Sequence, residues 1–527
     1  MKSYLILNTL LLSLLKINGF SKSSWFSSKT SLIFDRINKL NDPQSSNSIH
    51  SRKYQYFQLK KFPNSTNVRC NDGSIPGYYT RPSTTNCSKK WLIFLEGGWY
   101  CFNNNTCESR RRTHYDLFSS EFWSSERQLG GILSNNERIN PNFHDYNSVY
   151  IPYCSSDLWS GKQLEKTNGL YFHGSRILDT VVDDLTQNQH FKKVHEVAFV
   201  GSSAGGIGVL LNIDRLKRRL KKKLKRKVFI HGIVDSAWFL DYPAYRQSNC
   251  THIYECPPEN ALRNGMKLWN PRIPRRCKKF QGRGREWKCF MGPVIYRHLK
   301  NPTFIIQSLF DDAQLQMSKV PILEGGSNKK FSYIQQLGGF AAQTLRQAKG
   351  VFAHSCVDHE ILTKSNWAYV SVNNQRLHET LNYWQAYLEG EKKKIKKKVQ
   401  KNPKLIKTGK SPCKNLRKPK FSGNIDQSKY QLIDSCHISQ ITSYKIQLPH
   451  NRTLSRCANA IPLIPLCNPT CSPLSHPISG LSMSFIDLLE LYNVRINLIA
   501  KSLGISMEQL RKMNTQQQIS LLYCSSR

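Results

Sequence analysis

Acidic residues are scarce in this chain: Asp and Glu number 35 against 77 Lys and Arg, so 527 residues carry a formal net charge of +42. Such an excess favours polyanionic partners. Long apolar runs are also missing. After the first twenty residues no stretch is long and apolar enough to cross a bilayer, and no transmembrane segment is expected. The ordered CxxC pairs and His spacing of a zinc site are absent, so neither a metal nor an organic cofactor is expected. There is no internal repeat, and no nucleic-acid motif or aromatic-interleaved basic patch.

What is present points to the secretory route. "MKSYLILNTLLLSLLKINGF" has Lys2, an apolar stretch from Tyr4 to Leu15 and a cleavage site after Gly19. It is too short to span a membrane and reads as a signal peptide, with a buried N-terminal helix as the bland alternative. Sixteen cysteines suit an oxidising compartment. Close spacing suggests local pairs: Cys101 with Cys107, Cys250 with Cys256, Cys277 with Cys289, and Cys467 with Cys471. Cys87, Cys457 and Cys524 are candidate additions to the disulfide set. Five N-x-S/T sequons, at Asn64, Asn86, Asn104, Asn249 and Asn451, fit the same route. A secreted, soluble, extracellular protein is expected.

The charge is concentrated. "RLKRRLKKKLKRK" (215–227) holds ten basic residues, with Leu216, Leu220 and Leu224 spaced as one apolar stripe of an amphipathic helix. Residues 392–420 hold fourteen, with prolines and no acids, and read as an exposed loop. Like-charged runs are often just solvated. Counterion release makes nucleic acid the usual guess, but a signal peptide and an oxidising compartment argue against it. Sulfated glycosaminoglycans such as heparan sulfate are the expected polyanions, and they would hold the protein at the cell surface.

Apolar runs that read as buried strands recur at Trp91–Leu95, Ser148–Tyr153, Val194–Val200, Val228–Val234 and Thr303–Phe310. Helical patterns lie between or after them, at Arg176–Leu185, Leu337–Ala348 and Leu377–Leu388. This alternation predicts one main α/β domain, α/β-hydrolase-like, with a mostly parallel sheet and helices on both faces.

"KKVHEVAFVGSSAGGIGVLL" (192–211) runs a strand into G-x-S-x-G and then a helix, the context of a nucleophile elbow at Ser203. The five-letter pattern alone is weak, and a plain glycine turn reads equally well. A serine nucleophile needs a base and an orienting acid, in the order Ser, acid, His for this fold. "NPTFIIQSLFDDAQL" ends a strand at Asp311, with Asp312 and Asp235 as competitors for the acid. "GVFAHSCVDHEILTKSNW" offers His354 and His359. For the oxyanion hole, Ala204 supplies one N–H. The Gly97-Gly98-Trp99 turn of "WLIFLEGGWYCF" supplies the other.

Together "LEGGWYCFN", "IPYCSSDLWSG", "GSSAGGIGVLLNIDR", "VDSAWFLD", "LFDDAQL" and "CVDHEI" resemble the Notum family of secreted carboxylesterases, within the pectin acetylesterases. The likeness covers roughly 65–375 and returns at "CNPTCSP". It implies a triad of Ser203, Asp311 and His359, and an oxyanion hole around Gly98, Trp99 and Ala204. It also implies a deep acyl pocket of Trp99, Tyr100, Phe239, Pro258, Leu262, Phe290, Met291, Ala313, Met317 and Ile361. Met291 and Met317 stand where the family has an aromatic residue and a valine, and flexible Met can reshape a pocket. The implied substrate is a palmitoleate ester on a serine of lipidated Wnt proteins, whose removal makes the enzyme a feedback inhibitor of Wnt signalling. A polysaccharide or small-ester acetylesterase is the second reading, and an idle glycosaminoglycan-binding protein the third.

The expected organisation is a signal peptide (1–19), a variable segment (20–64), a catalytic domain (65–390) and a basic, disordered insertion (391–420). A Cys-containing end of the catalytic domain (421–475) and a helical tail (476–527) complete it.

Overall fold

Side chains along each central strand are buried on both faces and alternate between two cores. In β3 (Lys90–Leu95), Trp91, Ile93 and Leu95 enter one core, while Leu92 and Phe94 enter another on the opposite face. The period-2 side-chain geometry of a strand does this whenever both faces are apolar. The computed structural model describes residues 56–85, 88–320, 328–400, 425–435, 447–448, 452–457, 464–472, 474–475, 482–491, 494–515, 517–518, 521 and 524–526. The signal-peptide reading, Asn86, Cys87 and Asn451 lie outside these.

The main sheet has ten strands. They are β1 (Phe57–Lys61), β2 (Gly77–Arg81), β3, β4 (Glu126–Arg127), β5 (Asn147–Ile151), β6 (Glu196–Ser202), β7 (Phe229–Asp235), β8 (Thr303–Ser308), β9 (Gly350–His354) and, beyond a hairpin of β10 (Ser371–Val372) and β11 (Gln375–Arg376), β12 (Gln431–Ile433). Their order is β12-β9-β8-β7-β6-β3-β5-β2-β1-β4. From β12 to β5 every pairing is parallel; β2, β1 and β4 add an antiparallel edge.

The helices include α1 (Asn104–Thr113), α2 (Gly174–Leu185), α3 (Ala204–Leu224), α4 (Pro258–Trp269), α5 (Asp312–Met317), α6 (Asn328–Leu345), α7 (Leu377–Gln400), α8 (Phe485–Leu491), α9 (Ile496–Leu503) and α10 (Met507–Lys512); further short helical segments include Gln189–Lys192, Arg275–Gln281 and Gly292–Tyr296. Residues of α2 to α6 join the larger core, and Leu377, Leu381, Trp384 and Leu388 of α7 join the other. Parallel strands need such crossovers, and crossovers cover both faces. Leu216 and Leu220 of α3 are buried, and Leu224 is half-buried, so the leucine stripe of the basic run faces the sheet.

Three expectations need correction. The sheet starts at Phe57, inside the segment read as variable; FQLKK is a short, largely polar edge strand without a long apolar run. Residues 392–400 are helical, not a loop, because α7 runs on to Gln400. There Lys392 reaches Glu196 Oε2 at 2.8 Å and lies 4.5 Å over the Phe229 ring, which ties the helix to the start of the sheet. Residues 401–420 lie outside the described chain.

Third, Cys471 pairs with Cys356, not Cys467, at a sequence separation of 115; Cys467 is itself disulfide-bonded. The fold, not proximity in sequence, brings these two together. Cys101–Cys107, Cys250–Cys256 and Cys277–Cys289 form as their spacing predicts, and Cys70–Cys154 adds a long-range bond. Among the described residues no cysteine is free, and no helix is long and apolar enough to cross a membrane. Asn64, Asn104 and Asn249 are exposed.

Candidate active site

Ser203 sits between β6 and α3 with φ 52° and ψ −122°, a left-handed conformation that an L-residue adopts at a cost of order 1–3 kcal/mol. The flanking glycines make the turn sterically feasible. A methyl group on Gly205 would lie 2.0 Å from the Leu95 carbonyl oxygen, and one on Gly201 would lie 2.4 Å from that of Gly205. The G-x-S-x-G spacing is therefore a packing requirement between β3, β6 and α3.

Three loops at the carboxyl ends of neighbouring strands meet at this serine. His359, five residues beyond β9, places Nε2 2.8 Å from Ser203 Oγ. Its Nδ1 is 3.1 and 3.0 Å from the two carboxylate oxygens of Asp311, which follows β8 and caps α5. Asp311 is fixed in turn by the Gln314 N–H at 3.1 Å and Gln307 Nε2 at 3.0 Å, both donating to it.

The competing candidates are used otherwise. Asp312 accepts from Gln316 Nε2 at 2.8 Å. His354 ends β9 inside the core. Asp235 is a bracket: its Oδ2 accepts from Ser202 Oγ at 2.9 Å and from the Ile361 and Leu362 N–H groups at 3.0 Å each. It thus holds both the elbow and the histidine loop. Sequence reasoning weighed Asp235 only as a triad acid; a polar residue ending a buried central strand was the signal for this positioning role.

Electrostatics favour a charged imidazole. Burial of His359 opposes its charged form, but Asp311, then Glu360 and Asp235, outweigh it and lift the pKa to about 9. Glu360 is pushed up to about 7, chiefly by burial. Burial also raises Asp235. The site stabilises the imidazolium that forms when a histidine takes the proton of an attacking serine.

The Gly97-Gly98-Trp99 turn lies against the serine. A methyl group on Gly97 would come within 3.1 Å of Ser203 Cβ and 2.0 Å of Glu360 Oε1. Gly98 has φ +124° and Trp99 has φ 56°. The Trp99 ring meets Tyr254 edge-on at 5.0 Å. Ala204 opens α3, where backbone N–H groups lack intrahelical acceptors. The Gly97-Gly98-Trp99 turn and the first turn of α3 thus both adjoin the serine.

A narrow apolar cavity opens at Ser203 and Ala204. Trp99, Tyr100, Phe239, Pro258, Leu262, Phe290, Met291, Ala313 and Met317 line it, all of them expected. Helical spacing accounts for two pairs: Pro258 with Leu262 on α4, and Ala313 with Met317 on α5, each at i, i+4. Two lining residues were missed. Ile207 lies one turn into α3 from the serine, which the same spacing reveals. Leu158 lies in the "YCSSDLWSG" loop, held by its N–H to Tyr153 Oη at 2.7 Å, and no local pattern marks it.

Ile361 does not line this cavity; its side chain belongs to the core on the other face of the sheet, while its N–H serves Asp235. The turn between His359 and Ile361, with Glu360 at φ 59°, points them to opposite sides.

Residues 50–405 match the protein family described as Pectinacetylesterase. The chain belongs to the pectinacetylesterase family. This places it among carboxylic ester hydrolases.

Palmitoleoyl-protein carboxylesterase NOTUM of Homo sapiens is 34% identical to this pectinacetylesterase over 454 residues, covering 85% of this chain and 80% of that protein. Palmitoleoyl-protein carboxylesterase notum2 of Xenopus laevis is 34% identical over 440 residues, covering 83% and 79%. Inactive palmitoleoyl-protein carboxylesterase notum1b of Danio rerio is 42% identical over 118 residues, covering 22% of this chain and 84% of that protein. Likeness alone therefore does not separate active from inactive relatives, and the hydrogen-bonded chain from Ser203 through His359 to Asp311 is the pertinent observation.

Proposed function

We propose that this pectinacetylesterase is a secreted serine carboxylesterase that removes a palmitoleoyl ester from a serine of lipidated Wnt proteins, and that it restrains Wnt signalling by doing so. The observation that carries the reading is the Ser203–His359–Asp311 chain opening onto an almost wholly apolar cavity. Burying one methylene is worth roughly 0.8 kcal/mol, so an apolar lining of this kind favours a hydrocarbon acyl chain over a polar group.

In this reading Ser203 Oγ attacks the ester carbonyl carbon while His359 Nε2 takes its proton. Asp311 holds the imidazole so that Nδ1–H faces the carboxylate. N–H groups of the Gly98–Trp99 turn and of Ala204 receive the oxyanion. Collapse of the tetrahedral intermediate breaks the ester C–O bond, and His359 returns the proton to the departing serine alkoxide of the substrate. Water, deprotonated by His359, then attacks the acyl-enzyme; the fatty acid leaves and Ser203 regains its proton.

Basic side chains of α3 supply a surface for heparan sulfate. Arg215, Arg219 and Lys223 are engaged with Asp179 or Asp183, which leaves Lys221, Lys222, Lys225 and Lys227 exposed for a polyanion. Binding there would concentrate the enzyme at cell surfaces. The basic residues between 392 and 420 are assigned to the same partner.

The test compares purified protein with Ser203→Ala on a serine-palmitoleoylated Wnt peptide and its acetylated counterpart. Loss of the long acyl group with wild type alone is the expected result. Deacetylation alone would replace the reading with a small-ester or polysaccharide acetylesterase. No turnover of either by folded protein would leave the basic surface as the function.

A further inference from the structure

A second pocket, open to solvent, adjoins the acyl cavity. Met291 is the one residue that lines both. The partition is made of two chain segments. One presents Phe239 to the acyl cavity and Leu240 to the second; the other presents Phe290 to the first and Val294 to the second. The Gly292 N–H donates to the Phe239 carbonyl at 3.2 Å and knits the segments together. Met291 is 2% exposed and stands where they meet, so its thioether is the movable part of an otherwise backbone-pinned wall. Three rotatable bonds let methionine vacate such a position by a rotamer change alone.

We propose that the acyl cavity continues past Met291 into this second cavity, and that the enzyme therefore accepts acyl chains longer than sixteen carbons. The occupant is the distal, methyl end of a long-chain fatty acyl group. Leu240, Val294 and Phe340 give the second pocket an apolar part, and Asp241, Arg297, Gln343, Thr344 and Gln347 a polar one. Arg297 Nε donates to Gln347 Oε1 at 2.7 Å. The apolar part is where additional methylenes belong, and the polar edge is where the chain must stop. Each methylene buried there strengthens binding by about four-fold. The inference rests on the reading of Ser203 as an acyl-ester nucleophile.

The experiment measures kcat/KM on one serine peptide esterified with C8, C12, C16, C18 and C20 acyl groups. Wild type, Met291→Phe and Val294→Trp are compared. The first substitution fixes the partition with a rigid ring; the second fills the far cavity from behind. Wild type is expected to process C18 and C20 at least as well as C16. Both variants are expected to lower the C20-to-C12 ratio by ten-fold or more, and a ratio within one variant is insensitive to the folded fraction. A ten-fold fall from C16 to C20 in wild type overturns the inference and leaves the esterase reading standing. So does a C20-to-C12 ratio unmoved by either variant. If no ester is hydrolysed, the esterase reading falls, and the inference with it.

Discussion

Ser202 donates its hydroxyl to Asp235 Oδ2 at 2.9 Å, and that same oxygen accepts the two N–H groups that follow Glu360. One carboxylate oxygen therefore sets the distance between the end of β6 and the loop that delivers His359. The Ser203 N–H, donating to the Asp235 carbonyl at 2.9 Å, adds a second tie. The separation of nucleophile and base is fixed by a residue that touches neither reacting atom.

Replacing Asp235 by Ala should accordingly act on geometry first. Ser202, Ile361, Leu362 and Ser236 Oγ, which donates to Oδ1 at 3.0 Å, lose their acceptor, which costs about 3 kcal/mol of stability. A displacement of His359 by an ångström lowers kcat by roughly 10²-fold. KM should change little, because the acyl cavity is lined by other residues. Steady-state kinetics beside thermal unfolding check this; unchanged kcat in a folded variant would remove Asp235 from the positioning role.

Activity should rise with pH well above neutrality. His359 must be neutral to accept the serine proton, and its neighbours raise its pKa from 6.5 to about 9. The ascending limb of kcat/KM is expected to have its midpoint near pH 9. Glu360→Gln removes one of the charges responsible and should shift the limb to lower pH. Stability carries the opposite sign. The favourable charge on His359 is fully present below pH 6.5 and is lost as pH climbs toward 9. Thermal unfolding of wild type across this range reads it directly.

Gly205→Ala should be poorly tolerated. Its methyl group would meet the Leu95 carbonyl oxygen at 2.0 Å, and this contact is backbone against backbone. A destabilisation of about 3 kcal/mol or more is expected, with loss of folded protein. Gly339, which has nothing within 4 Å of such a methyl group, is the control: Gly339→Ala should be neutral or stabilising by several tenths of a kcal/mol, since it lies within α6. Denaturant unfolding of both variants makes the comparison.

The Cys356–Cys471 bond anchors the start of the histidine loop to a segment 115 residues away. The Leu466 N–H adds a bond to the Ser355 carbonyl at 2.8 Å. Substituting both cysteines by serine should cost 2–5 kcal/mol. It should also lower kcat more than removal of Cys277–Cys289, which closes a separation of only 12 residues on another loop. Equal effects on kcat would show that the long bond serves stability alone.

The sequence by itself determined the central strands, the elbow and the order of the triad candidates. The reason is physical: long β-branched runs can only be buried, and glycines at 201 and 205 answer a clash with backbone that no other residue avoids. It also determined the apolar stripe of α3, because period 3.6 survives among ten basic residues. The edge strand β1 and the four-residue apolar core of β9 were not legible, since neither has a run or a period long enough to read. From the residues alone, Asp311 had Asp235 and Asp312 as competitors; the family likeness favoured Asp311 over both. Only the tertiary structure shows Asp311 on His359 and Asp235 on the backbone. The same holds for Ile361, turned away from the cavity by one left-handed residue, and for the Cys356–Cys471 pairing. Those facts depend on contacts between residues 33 to 127 positions apart, and such contacts leave no local pattern behind.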